Sequence, residues 1–86
     1  MAKILLIEDD EHLALSTKKH LENSNHTVEH VADGGEALDR LRLYAYDIAI
    51  LDWNLPTKTG PEVLREYRNQ GGTTPVLMLT ANSAVN

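Results

Sequence analysis

Five acidic residues are the natural starting point. Glu8-Asp9-Asp10-Glu11 directly follow the apolar run Ile4-Leu5-Leu6-Ile7, and Asp52 directly follows a second run, Ile48-Ala49-Ile50-Leu51. A carboxylate is a competent nucleophile toward phosphorus. Carboxylates that converge in one cleft repel one another, and a cation relieves that repulsion. The natural candidate is Mg²⁺, a hard ion that takes oxygen ligands and keeps several waters. Asp9, Asp10 and Glu11 also have a simpler use, capping a helix and favouring its positive N-terminal end. That use suffices for Asp10 and Glu11. Glu8 and Asp9, taken with Asp52 at the end of another apolar run, point instead to a clustered acidic site.

Such a cluster needs a scaffold that brings the ends of the runs together. Ile4 to Ile7, Ile48 to Leu51 and Val76 to Leu79 are short and lack alternation, the pattern of strands covered on both faces. Thr27-Val28-Glu29-His30-Val31 alternates more and suits a sheet edge. Between these runs, Leu13, Ala14, Thr17 and Leu21, then Ala37, Leu38 and Leu41, then Val63, Leu64 and Tyr67 recur at helical spacing. Asp33-Gly34-Gly35 and Gly71-Gly72-Thr73-Thr74-Pro75 supply turns, and Gly60-Pro61 places a proline where the first turn of a helix tolerates it. Strand and helix therefore alternate, ending on a fourth strand. That order predicts a doubly wound α/β sheet whose ligands gather at the carboxyl ends of its strands.

The residues Lys3-Ile4-Leu5-Leu6-Ile7-Glu8-Asp9-Asp10, Asp47-Ile48-Ala49-Ile50-Leu51-Asp52-Trp53-Asn54-Leu55-Pro56, Gly60 and Pro75-Val76-Leu77-Met78-Leu79-Thr80-Ala81 resemble the successive signatures of bacterial response-regulator receiver domains. The resemblance spans essentially the whole chain. It implies a flavodoxin-like sheet of strand order 2-1-3-4 and a role in two-component phosphorelay signalling rather than as an enzyme. Asp52 would accept a phosphoryl group from a sensor histidine kinase. Asp9 and Asp52 would bind Mg²⁺ directly, Glu8 through water, and Asn54 through its backbone carbonyl. The Thr80 hydroxyl and the Ala81 amide would contact the phosphoryl group, with Thr80 acting as the switch. The Glu8-Asp9 pair and Met78-Leu79-Thr80-Ala81 further resemble the winged-helix transcription-factor subfamily, which would place DNA binding in an output domain outside this chain.

Some features depart from the family pattern. The loop Leu55-Pro56-Thr57-Lys58-Thr59-Gly60 lacks the acidic residue that often precedes the glycine, and Pro61 stands where an aliphatic residue is usual. A complete receiver continues through a fourth helix, a fifth strand and a fifth helix. With the chain ending at Asn86, residues 1–86 are expected to form one receiver domain, incomplete at its C-terminal end. The family's phosphate-contacting lysine then has no counterpart, since Lys3, Lys18, Lys19 and Lys58 all precede Thr80. Loss of that charge-assisted contact would weaken the phosphorylated state. This opens an alternative, a non-phosphorylated interaction scaffold that self-associates through an uncovered sheet face or edge. A hydrolase with an aspartyl nucleophile is the weakest alternative, because no acid or base follows Thr80.

Composition narrows the field further. A net charge of −5 argues against this segment gripping a phosphate backbone. The absence of cysteine excludes disulfides and thiolate metal sites and fits a reducing cytoplasm. Four apolar residues before the first acids are too few for a signal peptide or membrane span. His12, His20, His26 and His30 lack a metal-ligand spacing and read as surface or capping residues, so the phosphodonor histidine belongs to a partner. Trp53 reads as partial cover for the rim of the site.

Overall fold

A computed structural model describes residues 1–79. Four strands alternate with three helices: β1 (Lys3–Ile7), α1 (Glu11–Asn23), β2 (Thr27–Val31), α2 (Gly34–Leu43), β3 (Ile48–Asp52), α3 (Gly60–Asn69) and β4 (Val76–Leu79). The strands form one parallel sheet in the order β2-β1-β3-β4. Crossover helices cover both faces, which gives the doubly wound, flavodoxin-like arrangement expected from the sequence.

The alternation of side chains along each strand divides the core in two. Leu5, Ile7, Ala49 and Leu51 pack with Ala37, Leu38 and Leu41 of α2 and with Val63 and Tyr67 of α3. On the other face, Ile4, Leu6 and Val28 pack against Ala14 of α1, joined by the partly buried Leu21. β1 is buried on both faces, which is why its sequence shows no alternation. β4, whose run alone suggests the same cover, is instead an edge strand of the described sheet, in keeping with the uncovered sheet face or edge expected above. Its pairing sets Leu77 beside Ile50, on the face that α1 serves. There α1 lies over β1 and β2, and among the described residues nothing covers β4. Leu77 and Leu79 are consequently 51% and 42% exposed.

The helix starts are fixed by their own sequences. Asp10 caps α1 by accepting the Leu13 amide at 3.0 Å, and Asp33 caps α2 by accepting the Glu36 amide at 2.8 Å. Thr59 and Glu62 form a reciprocal capping box on α3, with Pro61 in its first turn. Such caps contribute about 1 kcal/mol each.

The β3–α3 loop is tightly drawn. The Lys58 amide donates to the Pro56 carbonyl at 2.8 Å, closing a three-residue turn around Thr57, whose φ is +74°. A β-branched residue is strained there. The Gly60 amide then donates to the Trp53 carbonyl at 2.8 Å. A side chain at Gly60 would collide with the Asp52 carbonyl oxygen and the Trp53 backbone, so the start of α3 rests directly on the end of β3.

Candidate functional site

The parallel sheet brings the acids together. β1 ends at Ile7, which pairs with Leu51, so Glu8 leaves the sheet beside Asp52, the last residue of β3. Carboxylate oxygens of Glu8, Asp9 and Asp52 all lie within 4.8 Å of one another. They line an open cleft of about 480 Å³ together with Asp10, Leu13, Asn54 and Leu79. A water occupies about 30 Å³, so a phosphoryl group and a hydrated cation fit. Among the described residues no lysine or arginine lines this cleft.

Glu8 is the most constrained member. At 6% exposure it is the only buried charged side chain among the described residues. Its Oε2 accepts the Asp10 amide at 3.1 Å. Burial raises its pKa; the Asp10 amide opposes the rise, and the negative charges of Asp52 and Asp9 add to it. Three all-oxygen donors, one of them desolvated and next to two further acids, fit a hard divalent cation.

The sequence-derived candidates fall into three groups. Glu8, Asp9 and Asp52 converge, and Asn54 lines the same cleft. Asp10 and Glu11 occupy the start of α1, Asp10 as its cap and Glu11 in the first turn. Thr80 and Ala81 lie outside the described residues. Trp53, next to Asp52, is 44% exposed and is not among the residues that line the cleft.

One contact was not legible beforehand. His30, on β2, donates through Nε2 to the Glu8 backbone oxygen at 2.7 Å. Nothing in an alternating edge strand signals a partner 22 residues away, just past the end of another strand.

With this geometry established, resemblance to known proteins becomes specific. Residues 4–86 match the response regulator receiver domain family. The response regulator RppA of Synechocystis sp. is 43% identical over 81 residues, covering 92% of this chain and 35% of RppA. The two-component response regulator PhoP of Pseudomonas aeruginosa is 39% identical over 79 residues, covering 92% of this chain and 35% of PhoP. The chain thus spans about a third of the length of these relatives. Among solved structures, the Francisella response regulator 1452 receiver domain superposes with a TM-score of 0.94 at 31% identity, over 98% of this chain and 69% of that one. TrrA of Thermotoga maritima, solved in complex with Mg²⁺ and BeF, gives 0.89 at 30% identity over 96% of this chain and 72% of that one.

The fold and the acidic mouth of its sheet define a two-component signalling domain. The chain belongs to the response regulator receiver domain family.

Proposed function

We propose that Asp52 is the phosphoacceptor of this receiver, charged by a sensor histidine kinase in the cytoplasm, and that Glu8, Asp9, Asp52 and the Asn54 backbone carbonyl hold Mg²⁺ beside it. The observation that carries this reading is the convergence of the Glu8, Asp9 and Asp52 carboxylates within 4.8 Å, in a cleft with no cationic side chain among the described residues.

Mg²⁺, when bound, supplies the charge neutralisation that phosphoryl transfer requires at the equatorial oxygens. The chain's own residues do the rest. Asp52, anchored at the end of β3, directs a carboxylate oxygen in line at phosphorus. The new O–P bond forms as the P–N bond to the donor imidazole breaks, and the imidazole leaves with the bonding electron pair. The product is an acyl phosphate. Asp9 and Glu8 hold negative charge on the β1 side of the cleft, while Leu13 and Leu79 add apolar lining. Phosphorylation of Asp52 then controls an output, which for a transcription regulator is DNA binding by a domain outside this chain.

A second reading is a scaffold that keeps the acidic mouth without using it and associates through β4. It is favoured by the exposure of Leu77 and Leu79, 51% and 42%, on the edge strand of the described sheet.

One experiment separates the two. The protein is incubated with Mg²⁺ and acetyl phosphate, and its intact mass is measured beside that of Asp52→Asn. One added phosphoryl group on the wild type and none on the variant is the expected outcome. No addition to either overturns the phosphoacceptor reading and leaves the scaffold.

A further inference from the structure

β2 carries none of the clustered acids, yet it holds the residue from which two of them depart. The Glu8 amide donates to the Val31 carbonyl at 3.1 Å, and the Glu8 carbonyl accepts from His30 Nε2 at 2.7 Å. A carbonyl oxygen only accepts, so Nε2 carries the proton in this contact. The β1–β2 pairing ends at Ile7 and Val31. Beyond that point the imidazole provides the donor for the next carbonyl. This carbonyl belongs to the peptide joining Glu8 to Asp9. With both its amide and its carbonyl bonded to β2, Glu8 has little freedom, and the direction in which Asp9 leaves is fixed. No lysine or arginine among the described residues lines the cleft to orient these carboxylates, so the backbone beneath them must do so.

We propose that His30 is a positioning residue for the acidic site: its Nε2–H fixes the Glu8–Asp9 peptide and so holds the Glu8 and Asp9 carboxylates in register with Asp52 for a divalent cation. The inference rests on the Mg²⁺-site reading above and adds a residue to it. Partners that orient metal ligands from behind are worth about 10–100-fold in metal affinity. A purely structural contact at the sheet edge would instead change thermal stability and leave the affinity of the folded protein unaltered.

The choice of variants follows from the surroundings. His30 borders an open cleft with Glu11, Ala14, Leu15 and Lys18. A small replacement would admit a water able to bond the freed carbonyl. Phenylalanine fills the ring's space and offers no donor, whereas glutamine carries an amide N–H to the position of Nε2.

The test is an NMR titration of the whole 86-residue chain with Mg²⁺. The Asp52 amide reports affinity, and the Asp9 amide of the metal-free protein reports the peptide whose carbonyl accepts the bond. His30→Phe should weaken Mg²⁺ binding about 10-fold and shift the metal-free Asp9 amide, while His30→Gln returns the affinity to within about threefold of wild type. His30→Leu serves the same purpose should the phenylalanine variant not fold. A folded variant without the donor that binds Mg²⁺ as tightly as wild type overturns the proposal. So does a glutamine variant as weak as the phenylalanine one, because ring shape rather than the donor would then be responsible. Wild-type resonances unmoved by Mg²⁺ overturn the metal-site reading itself, and this inference with it.

Discussion

Glu29 lies on β2 and Glu8 just beyond the end of β1, and the two meet opposite electrostatic fates. Glu29, on β2, accepts the Tyr46 hydroxyl at 2.6 Å and Arg40 at 3.0 Å, with the Lys3 ammonium at 3.6 Å. The Tyr46 hydroxyl holds its carboxyl below the usual range, helped by Lys3 and Arg40. Glu8 is more deeply buried, has no cationic partner among the described residues, and faces Asp52 and Asp9. One acid is neutralised within the chain. The other is left with uncompensated charge, which a ligand from outside can satisfy. The difference separates a carboxylate that holds the fold from one that fits the proposed cation site.

The comparison breaks most visibly at the acidic mouth. Asp9→Asn should lower Mg²⁺ affinity by at least about 10–100-fold, the loss typical even for residues one step behind a metal ligand. Glu29→Gln should leave that affinity unchanged, and the same titration measures both. Equal losses in the two variants would erase the contrast between the acidic mouth and Glu29.

A smaller effect is expected from Glu29→Gln on folding. The ion pairs around Glu29 are about a third or more exposed, with side-chain exposures of 36% for Glu29 and Arg40 and 43% for Lys3. Solvent screening therefore limits what they contribute. The part-buried Tyr46 hydroxyl bond is the larger part; glutamine keeps an acceptor for it but not the charge, so the substitution should destabilise by at most about 1 kcal/mol in urea unfolding. Because the folded pKa of Glu29 is lowered, its contribution is present above its unfolded-state pKa and is lost as pH falls through the folded one.

The smallest effect concerns Glu8 and has the opposite sign. Its folded pKa is raised, so its contribution is present below the unfolded-state pKa and is lost as pH rises through the folded value. Metal-free wild type should therefore lose stability relative to Glu8→Gln as pH climbs through that window. Unfolding curves collected across that range, with chelator present, test this. Parallel pH profiles for the two proteins would show that the fold does not resist ionisation of Glu8.

Much of this organisation was legible in the sequence because local chemistry and the fold agree. Ile4 to Ile7 and Ile48 to Leu51 announce strands, and a parallel sheet leaves their carboxyl ends on one edge, so the meeting of Glu8, Asp9 and Asp52 follows from order alone. Other features depend on long-range placement and leave no local trace. The run Val76 to Leu79 on its own reads as covered on both faces, because apolar composition does not record which helix lies overhead; its exposure was expected only through the resemblance, which left a sheet face or edge uncovered. His30 and Glu29 alternate along the same edge strand, and nothing nearby in sequence reveals that one reaches a backbone carbonyl and the other a tyrosine. Thr57 is concealed for another reason: a β-branched residue is among the last expected at positive φ, and the loop imposes it.

Gly60 has a consequence for how the molecule behaves as a mechanism of parts. The first residue of α3 rests on the carbonyl of Asp52 with no clearance for even a methyl group. α3 and the proposed phosphoacceptor therefore share a bearing surface rather than a hinge. A displacement of Asp52 along β3 is delivered to the end of a ten-residue rod whose far end is tied, through the Tyr67 hydroxyl bond to Thr74, to the approach to β4.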